Sequence, residues 1–183
     1  LMQTLVSFKE DLCREDFNAI PFINADGYHS KTIAYSIWHI FRIEDIVAHT
    51  VITEGEQVFF TGNYQVRINS PIITTGNELV KQQIADFSKQ LNLEELYSYI
   101  FEVRESTEKI LERFSYDELK WKIPDERKGY LKSLNVVNCD EKAIWLIDYW
   151  CSKDIRGLIQ MPFSRHWIMH TEACLRIKNK MHS

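Results

Sequence analysis

Two histidines that lie four residues apart, His166 and His170, have the residue type and the spacing for metal chemistry. Pro162 and Ser164 precede them, and proline suits the first turn of a helix while serine is a favoured N-cap. The pattern therefore predicts a helix over residues 164–180. Side chains four residues apart lie on one face of a helix, so both imidazoles point the same way.

The same helical face carries an apolar stripe, which indicates that both rings turn inward. Its members are Phe163, Trp167, Ala173, Cys174 and Ile177. Two inward-facing imidazoles favour metal binding, because coordination satisfies polar rings in an apolar setting. The alternative is a pair of core histidines that are hydrogen-bonded to carbonyl groups. This helix alone leaves both interpretations open.

A third ligand has to come from another helix. Residues 31–52 predict a helix that is apolar nearly all round, which indicates burial on several sides. His39 lies in its middle and is the best candidate, with a plain core histidine as the alternative. His49 is the second candidate, but its position ten residues later rotates it well off the line of His39. His29 falls in a predicted loop and His182 in a tail, where disorder is the default.

The composition is that of an ordinary globular chain of one domain. The sequence has 183 residues, of which 45% are hydrophobic and 26% charged. A net charge of −4 with interspersed signs argues against a nucleic-acid partner or an anionic membrane surface. No apolar run is long enough for a membrane span, and no signal peptide is visible.

The cysteines bear on the compartment. Four of them are widely scattered without a CxxC motif: Cys13, Cys139, Cys151 and Cys174. This pattern predicts free thiols rather than a disulfide framework or a cysteine-rich zinc site. A reducing cytosol, and therefore a cytoplasmic protein, is the simplest interpretation.

The chain is predicted to be all-α. It contains only 6 glycines and 4 prolines, and no stretch alternates cleanly as a strand does. Ser30 and Asn92 are expected to cap helices. The predicted helices cover residues 3–18, 31–52, 77–91, 93–114, 140–150 and 164–180, whereas 53–75 reads as irregular and Gly129 and Asn135 weaken any helix over 125–138.

Four of these helices are long enough to form a bundle. We expect a four-helix bundle with additional short helices, built from residues 3–18, 31–52, 93–114 and 164–180. Bundles of this kind build metal sites from side chains that project inward from facing helices. Paired Glu-x-x-His motifs, which a ferritin-like di-iron site needs, are missing.

The chain resembles the DinB/YfiT-like superfamily of four-helix bundles. The resemblance is carried by three segments, namely Ile37-Trp38-His39-Ile40-Phe41-Arg42-Ile43-Glu44-Asp45, Tyr97-Ser98-Tyr99-Ile100-Phe101-Glu102-Val103-Arg104 and His166-Trp167-Ile168-Met169-His170. It covers most of the chain, residues 1–183, as a single domain. The family commonly binds one divalent metal, and the matching ligands are His39, His166 and His170. The chain departs from the family at residues 115–160, a longer and aromatic-rich connection that is expected to cover the metal or to form an oligomer contact, for example in a homodimer.

Three imidazoles would leave a metal its full charge and at least one open position, as in catalytic zinc sites. That position could hold water, with its pKa lowered toward about 7, or a substrate thiol. Some members of the resembled family use a low-molecular-weight thiol as nucleophile, whereas others have no established activity. The leading hypothesis is a divalent-metal-dependent enzyme, a thiol S-transferase or a hydrolase, that acts on a small molecule. Zinc and nickel both accept imidazole.

Two other classes of function stay open. One is a metal-binding or small-molecule-binding protein without turnover. The other is an interaction module whose histidines are core residues.

Several further side chains are weaker candidates for the site. Arg42, Arg104 and Arg165 could hold an anionic substrate, although surface arginines are the commoner case. Glu44 and Glu172 could orient a ligand or act as a general base. Finally, the aromatic residues that could line a pocket, or else belong to the core, are Tyr35, Trp38 and Trp167.

Overall fold

The computed structural model describes residues 1–183, and every regular element in the chain is a helix. The prediction of an all-α protein is confirmed. A single isolated bridge between Lys122 and Asp154 is the only strand-like pairing. None of the helices combines the length and the apolar character needed to cross a lipid bilayer.

The α-helices are numbered in chain order. They are α1 (Met2–Asp11), α2 (Arg14–Asn18), α3 (Ile33–Asp45), α4 (Val58–Thr61), α5 (Tyr64–Arg67), α6 (Gln82–Gln90), α7 (Leu93–Leu111), α8 (Glu126–Ser133), α9 (Glu141–Cys151), α10 (Ile155–Gln160) and α11 (His166–Met181). Wider π-helical turns and short 3₁₀ turns complete the set. The π-helical segments are Ile46–Ile52 and Met161–Arg165, and the 3₁₀ turns are Gly27–Ser30 and Glu118–Lys120.

Helix α3 lies at the centre of the fold, and every one of its residues is buried. It continues as the first π-helical segment to Ile52, so the predicted helix over 31–52 has nearly the expected extent. It packs against both α7 and α11. The N-cap is Thr32, whose hydroxyl accepts a 3.0 Å hydrogen bond from the amide of Tyr35. Ser30, the expected cap, lies instead in the preceding 3₁₀ turn.

The predicted helix over residues 3–18 is wrong in its continuity. It is interrupted at Leu12 and Cys13, which both have extended backbone, so that α1 and α2 are separate. The carboxylate of Asp16 accepts a 3.0 Å hydrogen bond from the amide of Cys13 and thereby caps a new helix. The apolar spacing continues across the break, and for that reason periodicity did not reveal it.

The predicted start of the last helix at Ser164 is also wrong. The helical path begins earlier, at α10, where Asp154 Oδ1 accepts a 2.7 Å hydrogen bond from the amide of Gly157. The chain is already helical when it reaches Pro162, which lacks the amide hydrogen for a regular turn. The turn widens to the π-helical segment at this proline, and α11 follows without a side-chain cap.

Two stretches contain more helix than the sequence predicted. Residues 53–75 include α4 and α5, and α8 forms despite Gly129. The Asn92 cap is confirmed, because its Oδ1 accepts hydrogen bonds from the amides of Glu94 and Glu95 at 3.1 and 3.4 Å. Residues 77–91 were also predicted as a helix, and α6 occupies the second part of that range.

The hydrophobic core consists of two clusters. The larger has 26 buried residues drawn mainly from α1, α3, α6, α7 and α11. The smaller has 18 and joins the π-helical end of α3 to α8, α9 and α10. Residues 115–160 therefore build a core of their own against the far end of α3.

A buried carboxylate, Asp45, holds the end of α3 to its surroundings. Its oxygens accept hydrogen bonds from the amides of Val58 and Phe59 at 2.9 and 2.8 Å, and from the hydroxyl of Tyr99 at 2.8 Å. The side chain has no solvent exposure. Three donors from α4 and α7 thus converge on one charge, which ties three helices together.

Arg42 completes this buried cluster. Its guanidinium donates to the carbonyl of Ile73 at 2.8 Å and to Gln57 Oε1 at 2.7 Å, and it lies 3.5 Å from Asp45 Oδ2. The same group stacks 4.2 Å from the ring of Phe59. Both interpretations of Arg42 from the sequence, a substrate-binding and a surface arginine, are wrong: it anchors the chain that follows α3.

We expect Asp45→Ala to lower the free energy of unfolding by about 3–5 kcal/mol, because it leaves the Arg42 charge and two amides buried without their acceptor. Urea unfolding followed by circular dichroism measures the change. Asp117→Ala is the matched control, since that side chain is 88% exposed and its loss should stay within about 0.5 kcal/mol. Equal stabilities of the two variants would contradict this role of Asp45.

Candidate metal centre

The structure brings together the three histidines that the sequence singled out. One ring nitrogen from each of His39, His166 and His170 lies within 4.8 Å of the other two. The ring centroids are 5.0 Å apart for His39 and His166, 4.9 Å for His39 and His170, and 4.6 Å for His166 and His170. All three side chains are buried. This group could hold a metal ion.

Two helices position the cluster. His39 projects from the middle of α3, and His166 and His170 project from the first two turns of α11. Residues His166 and His170 share one face of α11 because they are four residues apart. Helix α11 packs against α3, and this face meets the side of α3 that carries His39. The convergence thus follows from helix periodicity and from the packing of these two helices.

The ring of His39 has a defined orientation. Its Nδ1 lies 2.6 Å from the carbonyl oxygen of Thr75, and its plane stacks on Tyr35 at 5.3 Å and 12°. A carbonyl oxygen only accepts, so Nδ1 carries the hydrogen and the lone pair is on Nε2. A histidine that donates its other N–H to a backbone carbonyl is the usual arrangement for a metal ligand.

The backbone after Thr75 is specialised. Gly76 has a left-handed φ of +78°, and a Cβ there would lie only 2.8 Å from the ring of Trp38. The carbonyl of Gly76 accepts a 2.9 Å hydrogen bond from the hydroxyl of Tyr35. This turn therefore holds in place both the acceptor for His39 and the ring that stacks on it.

His166 and His170 differ from His39 in lacking such a partner. The Nδ1 atoms of both rings are buried without a hydrogen-bond partner. A buried polar group without a partner costs about 1–3 kcal/mol. The ring of Tyr28 packs edge-on against His170 at 4.7 Å, which restricts the ring but satisfies none of its polar atoms.

All three imidazoles are held in the neutral form. Burial lowers the pKa of His39 to about 4, although the hydrogen bond to Thr75 acts in the opposite direction. Burial also holds the pKa of His166 and of His170 well below the usual value, and the neighbouring imidazoles lower it further. Neutral imidazole is the form that binds metals. Three such rings suit a borderline-soft ion and offer none of the oxygen ligands that calcium or magnesium prefer.

A cavity of about 480 Å³ adjoins the cluster. Its walls include Tyr28 and Lys31 from the segment before α3, and Trp145, Tyr149 and Trp150 from α9. The wall from α9 belongs to the aromatic-rich connection, residues 115–160. The sequence predicts that this connection covers the metal or forms an oligomer contact. Residues of both core clusters line the cavity, which therefore lies between them.

Several residues around the site have no signal in the sequence. Thr75 contributes only its carbonyl group, which every residue has. The aromatic residues of α9 were recognised as helical, but their contact with the cluster depends on the packing of a distant segment. In the sequence Lys31 resembles any surface lysine, because its place in the cavity wall depends on the tertiary structure.

His49, the second candidate for the third ligand, lies elsewhere. Its Nδ1 is 2.9 Å from Asp45 Oδ1, and its Nε2 is 2.7 Å from the hydroxyl of Ser106. The order Asp–His–Ser is that of a hydrolytic triad, but Ser106 lies within α7, whose amides donate to the helix itself. Such a serine lacks the free amides that stabilise an oxyanion. We interpret this chain of hydrogen bonds as a structural link between α3 and α7.

The remaining histidines are also outside the cluster. His29 lies in the first 3₁₀ turn and lines a separate small pocket. His182 is exposed, with its Nε2 3.5 Å from Asp16 Oδ2. Neither lines the cavity beside the cluster.

The carboxylates and arginines considered from the sequence do not line the cavity. Glu44 is buried, where it accepts a 2.8 Å hydrogen bond from the indole of Trp167 and lies 3.6 Å from Arg104. Glu172 is exposed and pairs with Arg176 at 2.6 Å. Neither glutamate is placed to act as a general base at the histidine cluster. Among the aromatic candidates, Tyr35 lines the cavity, whereas Trp38 and Trp167 belong to the core, and Arg165 is exposed.

No protein-family model matches the sequence, and no curated protein matches it. The function is therefore inferred from the site itself.

The buried glutamate generates a prediction about pH. Burial raises the pKa of Glu44 to about 7, against about 4.3 in an unfolded chain. Between these values the folded state retains a proton that the unfolded state has released. Stability contributed by this group is therefore fully present below about pH 4.3 and is lost as the pH rises toward 7, by up to about 1.4 kcal/mol per pH unit.

Glu44→Gln removes this dependence, because an amide stays neutral at every pH. We expect the stability of the variant relative to wild type to rise by about 2 kcal/mol between pH 5 and pH 7.5. Urea unfolding at several pH values measures the difference, with the exposed Glu172→Gln as control. If the difference in unfolding free energy between wild type and Glu44→Gln does not change with pH, the pKa of Glu44 is not raised in the folded state.

Proposed function

We propose that this protein is a divalent-metal-dependent enzyme of the DinB/YfiT-like superfamily, with His39, His166 and His170 as the ligands. The observation that carries the proposal is the convergence of three neutral imidazoles at the wall of a cavity. Core histidines would be expected to have hydrogen-bond partners, and two of these rings have none at Nδ1. Coordination would give one nitrogen of each ring a partner.

The arrangement of helices supports a four-helix bundle made by α1, α3, α7 and α11. Helix α3 packs on α7 and α11. Helix α1 is tied to α7 by the 2.7 Å hydrogen bond from the hydroxyl of Tyr97 to the carbonyl of Leu5, and to α11 by the ion pair of Asp11 and Lys178. The order of the three histidines along these helices is the order that the resembled family implies.

Zinc or nickel is the metal we propose. Both accept imidazole nitrogen, and three protein ligands leave a position for a substrate atom. When bound, the ion would supply a Lewis acid that makes a thiol or a water molecule acidic. The chain itself would orient the Nε2 atom of His39 through Thr75 and keep bulk water from the buried rings.

The reaction class we propose is thiol S-transfer, with hydrolysis as the second possibility, and the substrate is a small molecule. The cavity of about 480 Å³ falls within the usual range of small-molecule sites. A low-molecular-weight thiol would be one of the two reactants. The four cysteines are free, in keeping with a reducing compartment such as the cytoplasm.

A protein that binds a metal or a small molecule without turnover is the alternative. It is favoured by the absence of any aspartate or glutamate from the cavity wall, because a general base is then not available next to the cluster. Thiol transfer needs such a base less than hydrolysis does, since coordination alone deprotonates a thiol. This difference is the reason for placing thiol transfer first.

Metal analysis tests the proposal. We expect protein prepared without a histidine tag, incubated with Zn²⁺ or Ni²⁺ and then dialysed, to retain about one ion per chain. Each of His39→Ala, His166→Ala and His170→Ala should weaken binding by roughly 100-fold or more, because each removes a ligand. Mass spectrometry of metal content, with competition by a chelator, gives the affinities.

The matched control is His29→Ala, which removes a histidine that does not line the cavity. It should retain the full metal content. A triple alanine variant that binds as much metal as wild type would refute the site. If metal binds but thiol–electrophile pairs, esters and amides turn over no faster than with the triple variant, the binding-protein alternative holds.

A further inference from the structure

The cavity beside the histidines has an uncompensated positive charge. Lys31 lines it, is half-buried and has no acidic partner. Its ammonium group lies 5.3 Å from the centre of the Tyr35 ring, a cation–π contact that does not neutralise the charge. Partly buried ammonium groups normally have a carboxylate partner. The wall of this cavity contains none.

Lys31 lines the same cavity as His39 and His170. Burial lowers the pKa of its ammonium group, because it removes water that would solvate the charge. An anion in the cavity would relieve that cost.

Another part of the cavity wall is aromatic. Trp145 is 49% exposed, although it is a large aromatic residue, and Tyr149 packs against it with ring centroids 5.6 Å apart. The indole N–H of Trp145 already donates to the carbonyl of Lys142 at 2.9 Å, so the exposed part of the ring offers contact area and no hydrogen bond. Exposed flat rings of this kind bind flat ligands by stacking.

The cavity wall also contains a polar side chain without a partner. The side chain of Asn77 lines the cavity, and its Oδ1 is buried without a hydrogen-bond partner. In either orientation of the amide, one of its polar atoms has no partner within the protein.

We propose that the cavity binds a small aromatic carboxylate, whose acid group pairs with Lys31 and whose ring lies against Trp145 and Tyr149. The proposal deepens the proposed function, because it names the class of the substrate for that site. It rests on the proposed function only in taking the cavity to be the substrate site. The carboxylate is selected by Lys31, so the preference for an anion does not require the metal.

Equilibrium binding of matched probes tests this assignment in both metal-free and zinc-loaded protein. The probes are 1-naphthoate and its neutral counterpart 1-naphthamide, and quenching of tryptophan fluorescence or calorimetry gives each dissociation constant. We expect wild type to bind the naphthoate at least tenfold more tightly than the amide in both forms. Lys31→Met should bring the ratio of the two constants close to one and leave the affinity for the amide nearly unchanged.

Two control variants separate charge from stacking. Lys109→Met makes the same change in net charge at a side chain that is 62% exposed on α7, and it should keep the preference for naphthoate. Trp145→Ala should weaken the binding of both probes by a similar factor. A Lys31→Met variant that keeps the preference, or a wild type that shows no preference or binds neither probe, overturns the proposal.

These measurements distinguish failure of the carboxylate proposal from failure of the proposed metal site. If zinc does not bind but naphthoate is still preferred through Lys31, the metal assignment is wrong and the carboxylate site stands. If the preference occurs only with zinc bound and survives Lys31→Met, the metal rather than the lysine holds the carboxylate, and the present proposal is wrong.

Discussion

Burial of α3 on all sides is the constraint on which the rest of the structure depends. A helix in this position has no solvent-exposed face, so its charged side chains need partners in neighbouring elements. Arg42 and Asp45 bind the chain that follows the helix, and Glu44 receives the indole of α11. His39 is directed to α11 and to the carbonyl of Thr75. The position of the histidine cluster is one result of this distribution.

The constraint also explains why the cluster is electrically unusual. The acidic groups of α3 meet amides of α4, a phenol and an arginine of α7, and an indole of α11, and neither lines the cavity. The side that faces the cavity carries neutral rings and, beyond the helix start, one lysine. Negative charge is thus kept away from the region in which a cation and an anionic ligand would be brought together.

Much of the site could be predicted because it depends on local geometry. The spacing of His166 and His170 places them on one helical face, and the apolar surroundings of His39 indicate an inward position. The all-helical fold follows similarly from few glycines and recurrent apolar spacing. The break at Cys13 could not be predicted in this way, because a capping carboxylate can end one helix and start another without changing the period.

Long-range contacts account for the other errors. Arg42 looked like a surface residue or a substrate ligand, since nothing near it in the sequence shows that Gln57 and the carbonyl of Ile73 would surround it. The aromatic wall from α9 is more than a hundred residues from His39 along the chain. The start of α11 was misplaced for a more local reason: Pro162 and Ser164 have the character of a helix start, yet the preceding turn is already helical.

The contact between His39 and Thr75 has a consequence for how the site tolerates amino-acid replacement. The acceptor is a main-chain oxygen, so exchanging the side chain at position 75 cannot delete it. The vulnerable neighbour is Gly76, whose left-handed backbone and missing side chain let the turn pass beside Trp38. A replacement of Thr75 therefore keeps the acceptor for His39 as long as the new side chain fits a fully buried position, whereas any side chain at position 76 strains the turn.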